Sequence, residues 1–236
     1  MPEHSRSIQR SSFLDTYRGV AVLLMMIFHL CWDLKTFGYM AYSLQDPFWV
    51  AFRYVILTLF LSAVGWSSYL ASQVKQPLKR YAINLSKIGL SAIAISLGSY
   101  LAMPNQWIFF GILHFIFLAA IVVRPFAVHP IASCTVGVLI VLTTYVNPWF
   151  DSSEIRAWFT GLGAPRHTLD YISPLPWFGV VLIGPIFGYF KIERIALPKY
   201  NGIKLISFLG RYALPVYLLH QLILYPLVAG IHYLLG

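Results

Sequence analysis

Residues 14–34 read LDTYRGVAVLLMMIFHLCWDL, and this stretch decides the class of fold. It is long and apolar enough to cross a bilayer as an α-helix, which takes about 20 residues. It nevertheless contains four ionisable side chains, Asp15, Arg18, His29 and Asp33. Such groups are costly in hydrocarbon, and within a span they usually face the bundle interior or a wet cavity. The segment therefore predicts a transmembrane helix whose ionisable side chains have a function inside the bundle.

The composition places the rest of the chain in the membrane as well. Of the 236 residues, 58% are hydrophobic and 11% are charged, whereas about 25% of a typical soluble domain is charged. The mean hydropathy is +0.70. The net charge of +9 does not indicate a nucleic-acid partner, because the basic residues fall in short loops between apolar runs. We therefore expect one integral-membrane domain over residues 1–236.

Seven apolar runs predict an all-α bundle of about seven transmembrane helices. The runs are 15–34, 48–72, 81–102, 107–124, 129–148, 175–191 and 210–234. Most lysines and arginines fall on the same side as the N-terminus, which predicts that the N-terminus is cytoplasmic. We expect a short cytoplasmic tail over residues 1–14 and a long outer loop over residues 149–174. Residues 192–209 are basic and then amphipathic, and we expect them to lie along the membrane surface.

Six of the tryptophans fall at the predicted outer boundary of the membrane. They are Trp32, Trp49, Trp107, Trp149, Trp158 and Trp177. An interfacial aromatic belt is one interpretation, and a set of flat faces for stacking on sugar rings is the other. The two cysteines, Cys31 and Cys134, are expected near opposite faces and unpaired. No Cys or His spacing indicates a metal site.

The four ionisable residues of the first run share one face of the predicted helix. At 100° per residue they fall within a sector of about 60°. His29 lies about 16 Å along the axis from Arg18, and it is four residues from Asp33, close enough to touch it. Hydrogen bonding to neighbouring helices is one interpretation of such residues. Four of them on one face favour a functional groove.

The chemistry that this groove suggests is acyl transfer. A histidine such as His29 either takes the proton of an acceptor hydroxyl or amine or carries the acyl group itself. Asp33 is expected to fix its tautomer. Arg18, at the far end of this face, is expected to take part in catalysis by gripping the donor or its developing negative charge. Arg18 and Arg211, the latter expected to begin the last span at the same depth, also suit a phosphate-bearing donor. Contact with lipid headgroups is the alternative for both arginines.

Further polar residues are candidates for the cavity or the acceptor site: His114, His220, Asp170 and Trp177. His114 lies about seven residues from the outer end of the fourth run, so we expect it to face the same cavity as His29. His220 lies near the middle of the last run. Each histidine alone is also compatible with a purely structural buried role.

Four phrases of the sequence together resemble one known family. They are RGVAVLLMMIFHLCWDL, FGILHFI, DYISPLPWFGVVLIGPIFGYF and LGRYALPVYLLHQ, in that order. The spacing of Arg18 and His29, with ten residues between them, resembles the opening helix of the integral-membrane acyltransferases. The set as a whole is similar to the bacterial branch of the heparan-α-glucosaminide N-acetyltransferase catalytic-domain family, within the transmembrane acyltransferase superfamily.

The resemblance implies a multi-pass enzyme of the bacterial inner membrane. Such an enzyme takes an acetyl or other acyl group from cytoplasmic acyl-CoA, needs no metal, and passes the group to the oxygen or nitrogen of a carbohydrate-type acceptor outside. Animal members have an asparagine at the position of His29 and a histidine in the loop after the first span, whereas residues 34–54 contain no histidine here. Besides lipid, a second copy of the chain in a homodimer is an expected partner.

Two other classes of protein fit the same sequence pattern. A polar stripe with titratable groups also serves a small proton-coupled transporter or permease, although no inverted repeat is visible. The histidines of a non-catalytic membrane assembly protein would only pack.

Overall fold

The structure, a computed structural model, describes residues 11–146, 153–161, 163–198 and 200–235. Within these ranges the regular structure is helical, with one isolated bridge and no strand, which confirms the all-α prediction. The helices are α1 Ser12–Thr36, α2 Pro47–Gln73, α3 Leu78–Ala102, α4 Ile112–Phe126, α5 Pro130–Val146, α6 Ser153–Gly161, α7 Pro174–Ile183, α8 Pro185–Tyr189, α9 Asn201–Arg211 and α10 Ala213–Leu235. A 3₁₀ turn covers Ile192–Arg194.

Four of the described helices are long and apolar enough to cross a membrane, namely α1, α2, α3 and α10. Three further apolar segments are shorter, at Ile112–Phe126, Pro130–Val146 and Pro174–Tyr189. Each predicted run thus contains an apolar helix. A helix of 15 residues is only about 22 Å long, short of the ~30 Å hydrocarbon core. The count of seven spans and the orientation of the N-terminus therefore stay predictions.

The predicted start of the fourth run was wrong by several residues. We expected helix from 107, but α4 begins at Ile112. The preceding backbone bonds to a distant segment instead, since the Leu169 N–H donates to the Gln106 carbonyl and the Ile172 N–H donates to the Phe110 carbonyl. The predicted loop 149–174 also contains the helix α6.

Arg211 does not begin the last span, as the sequence suggested, but is the last residue of α9. Tyr212 follows with φ −110° and ψ 31°, outside helical geometry. Pro215 stands in the first turn of α10, where its missing N–H breaks no helical hydrogen bond. The first two residues of the predicted run 210–234 therefore end α9, and the rest of the run from Ala213 is the helix α10.

The described helices divide into two compact units, and the division falls within α2. The terminal unit contains residues 11–60 together with the described residues from 193 onward, and the central unit contains the described residues of 61–192. No observation tests the prediction of one domain over residues 1–236.

In the terminal unit, α1 packs against α9 over its first half and against α10 further along. Glycines allow the close approach to α9: a Cβ at Gly19 would overlap the carbonyl of Ile206, and one at Gly210 would overlap the carbonyl of Asp15. The Ser11 hydroxyl donates to the Glu193 carbonyl at 3.0 Å and caps α1 by accepting from the Leu14 N–H. The amphipathic segment 192–209 thus contains most of a helix packed on α1, and its place at the membrane surface stays a prediction.

In the central unit, α5 and α7 pack closely along their lengths. Their backbones meet at Gly137 and Gly179, where an added Cβ on either would contact the other's carbonyl oxygen. The buried Ser133 hydroxyl donates to the Leu182 carbonyl at 2.7 Å. Small side chains at a helix interface are typical of membrane bundles.

Candidate functional site

The polar face predicted for α1 is directed at its neighbours in the terminal unit. Asp15 is buried beside the start of the α9–α10 junction, and its carboxylate lies 3.7 Å from the guanidinium of Arg18. Arg18 keeps 30% of its side chain exposed. In the first half of this polar face, Arg18 is therefore paired with Asp15 and is still partly exposed.

The second half of this polar face contacts α10, and there His29 of α1 and His220 of α10 face each other. The ring centroids of His29 and His220 are 4.7 Å apart, and the rings meet edge to face at 75°. His220 is buried, with 7% of its surface exposed. The sequence indicated both histidines as candidates for the site but did not predict that they contact each other. The fold brings them together from positions near opposite ends of the chain.

Backbone carbonyls fix the tautomers of this histidine pair. Nδ1 of His29 lies 2.9 Å from the Met25 carbonyl oxygen, and Nδ1 of His220 lies 2.6 Å from that of Tyr217. A carbonyl oxygen only accepts, so each Nδ1 carries the proton. Each neutral ring therefore presents a lone pair on Nε2, the form that a base or a nucleophile needs.

Asp33 is fully buried, and its hydrogen-bond partner is Gln221 of α10. The Gln221 side-chain amide donates to Oδ1 at 2.7 Å, whereas Oδ2 has no hydrogen-bond partner within the described ranges. The expectation that Asp33 fixes the tautomer of His29 was therefore wrong, because the Met25 carbonyl does so. Asp33 instead bonds to Gln221, the residue that directly follows His220 on α10.

Three buried atoms of this cluster lack hydrogen-bond partners among the described residues: Asp33 Oδ2, His220 Nε2 and Gln221 Oε1. With the tautomer above, all three are acceptors. Buried polar atoms are almost always satisfied, and an exception calls for an explanation such as a functional role. The cluster of His29, Asp33, His220 and Gln221 has the chemistry of a site for a group that donates several hydrogen bonds. We call it the histidine centre.

Gln221 is the member of the histidine centre that sequence reasoning missed. A signal was present, since Gln221 is a polar residue within the apolar run of α10, directly after His220. Polar residues in a span usually face the bundle interior. An amide does not titrate, so a pattern of ionisable residues does not include it.

His114 lies in the central unit, where it contacts Ser96 of α3. The Ser96 hydroxyl donates to the Ile108 carbonyl at 2.6 Å, so its oxygen accepts from Nε2 of His114 at 3.1 Å. Nδ1 of His114 is then the lone-pair nitrogen, and it is buried without a partner in the described part of the chain. A cavity shared by His114 and His29 stays a prediction.

Asp170 and Trp177 also belong to the central unit. Oδ2 of Asp170 accepts from the Ile112 N–H at 3.0 Å, at the N-terminus of α4, where a carboxylate stabilises a helix. Trp177 is buried on α7. Asp170 thus stabilises the start of α4, and Trp177 is part of the buried core of the unit. A role for either residue in binding the acceptor stays a prediction.

The remaining tryptophans differ in how exposed they are, and the two cysteines are not bonded to each other. Trp49 and Trp66 are buried, whereas Trp158 is 63% exposed. Trp149 lies outside the described residues. Cys31 and Cys134 are free thiols.

Comparison with known proteins identifies one family. The family model described as heparan-alpha-glucosaminide N-acetyltransferase, catalytic, matches residues 10–222. No curated protein and no solved structure matches the chain.

Proposed function

Because this chain belongs to the heparan-alpha-glucosaminide N-acetyltransferase catalytic-domain family, and is thus a membrane acetyltransferase, we propose that it acetylates a carbohydrate-type amine. The acetyl donor is acetyl-CoA, and the acceptor lies on the outer side of a bacterial inner membrane that the chain crosses several times. One observation carries the assignment of the reaction centre. Two histidine rings 4.7 Å apart, each with a lone pair on Nε2, stand beside a buried carboxylate.

The histidine centre acts on the proton of the acceptor. Nε2 of His29 or of His220 takes the proton as the acceptor nitrogen forms its bond to the acetyl carbonyl carbon. The carbon–sulfur bond then breaks, and the proton passes to the departing sulfur, so that the products are an amide and a free CoA thiol. In the alternative, Nε2 of His29 first forms the bond to the acetyl carbon as the CoA thiol leaves, and the acceptor amine then takes the acetyl group as the bond to His29 breaks. Asp33 stabilises the protonated imidazole.

The unpartnered atoms of the histidine centre favour an amine over a hydroxyl as acceptor. Asp33 Oδ2, His220 Nε2 and Gln221 Oε1 all accept hydrogen bonds. A hydroxyl offers one donor, whereas an amine offers two, and three when it is protonated. We therefore assign N-transfer rather than O-transfer.

The donor side of the site is assigned to Arg18 and Arg211. Arg211 directly follows Gly210, whose backbone packs on Asp15, the ion-pair partner of Arg18. Guanidinium groups bind phosphates well, and acetyl-CoA carries phosphates at one end and the thioester at the end of a long flexible arm. The distance of about 16 Å along α1 from Arg18 to His29 suits that shape.

The acceptor side is assigned to His114 and Trp177, with Asp170 in a supporting role. His114 has a buried Nδ1 without a partner in the described residues. The orientation with a cytoplasmic N-terminus, and assembly as a homodimer, are part of the same proposal. The charge bias of the loops supports the first of these.

The test is transfer of radiolabelled acetyl from acetyl-CoA to D-glucosamine by the full chain in lipid nanodiscs. His29→Ala and His220→Ala should each lower the rate by at least about 100-fold, the usual contribution of a general base. His167→Ala, an exposed histidine of the central unit, is the matched control and should leave the rate unchanged.

Two results would overturn the proposal. Wild-type protein that neither binds nor consumes acetyl-CoA would exclude the enzyme. Proton-coupled uptake of a solute into proteoliposomes without any acetyl transfer would favour the transporter instead. Full activity of both alanine variants would remove the histidine centre but leave the family assignment intact.

A further inference from the structure

The loop that joins α1 to α2 is held over the end of α1 in the terminal unit. The Phe37 N–H donates to the Asp33 carbonyl at 3.0 Å, and the Tyr39 N–H donates to the Leu34 carbonyl at 2.9 Å. Further along, the Tyr39 hydroxyl lies 3.2 Å from Nδ1 of His232 at the end of α10. The loop is thus tied to both helices that supply the histidine centre.

Tyr42 is the residue of this loop whose ring is fixed on two sides. Its ring stacks on Trp49 with centroids 4.1 Å apart and an interplanar angle of 23°. The ammonium group of Lys35 lies 4.9 Å from the centre of the same ring. Trp49 is itself buried. The stacking and the cation together set the direction of the Tyr42 hydroxyl.

The Tyr42 hydroxyl is buried and has no hydrogen-bond partner within the described residues. Burial raises the pKa of the hydroxyl, and the nearby groups Cys31 and Asp33 raise it further. Ring contacts link Tyr42 to the histidine centre: Trp49, on which Tyr42 stacks, meets Phe28 edge to face at 6.0 Å between centroids, and Phe28 meets His29 edge to face at 5.8 Å. The hydroxyl therefore keeps its proton at neutral pH and is available as a donor.

The Tyr42 hydroxyl supplies a hydrogen-bond donor, which the unpartnered atoms of the histidine centre do not. Those atoms are three acceptors, Asp33 Oδ2, His220 Nε2 and Gln221 Oε1, and they suit the acceptor amine. The acetyl carbonyl oxygen has the opposite need, because it gains negative charge as the amine adds to its carbon. A fixed donor aimed at such an oxygen stabilises the transition state.

We propose that Tyr42 is a further catalytic residue, whose hydroxyl donates a hydrogen bond to the carbonyl oxygen of the acetyl group during transfer. This inference rests on the proposed acetyl transfer. The tyrosine keeps its proton throughout, so the step changes no bond of the protein. The only bonds made and broken are those of the acetyl group with nitrogen and sulfur.

The experiment compares Tyr42→Phe with wild type in the same nanodisc assay, using acetyl-CoA and D-glucosamine. Phenylalanine keeps the stacking on Trp49 and removes only the hydroxyl. We expect kcat to fall about 100-fold, the usual effect of losing one such donor, with an unchanged KM for acetyl-CoA. The melting temperature should stay the same or rise slightly, since a buried unpaired hydroxyl is removed.

Tyr233→Phe is the matched control, because Tyr233 belongs to the same unit but is 86% exposed. It should keep the wild-type kcat. A second measurement replaces Tyr42 by 3,5-difluorotyrosine, whose hydroxyl ionises at lower pH. The alkaline limb of the kcat profile should then move to lower pH, a shift that a purely structural role would not cause.

A wild-type kcat in Tyr42→Phe, in a preparation whose wild type transfers acetyl, would overturn this inference alone. An unchanged alkaline limb with difluorotyrosine would do the same. Absence of transfer by wild type would overturn the proposed function and this inference together.

Discussion

The side-chain amide of Gln221 donates to the buried carboxylate of Asp33 at 2.7 Å, and this bond joins α10 to the last turns of α1. It lies directly beside the contact between the His29 and His220 rings. Two adjacent residues of α10 thus meet two residues of α1 that are four apart. The pairing sets the register of the two helices as well as the position of both imidazoles.

Replacing Gln221 by leucine tests how much its hydrogen bond to Asp33 contributes to the stability of the protein. The Asp33 carboxylate loses its donor, and a buried acceptor left unsatisfied costs about 1–3 kcal/mol of stability. The melting temperature in detergent should fall, whereas Gln45→Leu in the exposed loop should not change it. Equal melting temperatures for the two variants would contradict a structural role for the bond.

The two histidines are expected to act as one unit. Each single alanine variant should lose at least about 100-fold in kcat, and the double variant His29→Ala/His220→Ala should lose little more than the worse single one. Groups that act together in a reaction show this lack of additivity. The measurement is initial rates of the four proteins. Multiplied losses would mean that the rings work independently.

Arg18 is predicted to bind the donor rather than to take part in the chemistry. Arg18→Gln should raise KM for acetyl-CoA about tenfold, which corresponds to about 1.4 kcal/mol, and leave kcat nearly unchanged. Arg53→Gln, an exposed arginine of α2, is the control. A lowered kcat with an unchanged KM would assign Arg18 to the reaction step instead.

Gly210→Ala should disturb the donor side through packing. A Cβ at this position overlaps the carbonyl oxygen of Asp15, which is backbone and cannot rotate away. Overpacking of this kind costs about 1–3 kcal/mol, so we expect a lower melting temperature and a higher KM for acetyl-CoA. Gly230→Ala on α10 has open space around it and should resemble wild type.

The sequence predicted the apolar helices because hydropathy and helical period are local properties. The face shared by Asp15, Arg18, His29 and Asp33 required only the positions of residues along one helix. By contrast, the pairing of Asp33 with Gln221 joins residues 188 positions apart. No local pattern records which helices become neighbours, so the sequence analysis paired Asp33 with His29 on its own helix, and the predicted role of Asp33 in fixing the His29 tautomer was wrong.

The other differences also have physical causes. In the sequence Arg211 is continuous with the last apolar run, whereas in the structure Tyr212 leaves helical geometry and separates Arg211, the end of α9, from α10. Asp170 was read as a candidate for the acceptor site. It bonds to the start of α4, a helix that begins 58 residues earlier in the chain. The tautomers of the histidines follow from i−4 and i−3 carbonyls, a detail that the sequence alone allows but does not require.

The histidine centre draws its residues from the first and the last helix that the structure describes, and this has a consequence for biosynthesis. A nascent chain inserts α1 early and must wait for α10 before His29 meets His220. Until then Asp33 has no amide to bond to. A chain released before α10 would therefore lack the donor that Gln221 supplies to the Asp33 carboxylate in the folded protein.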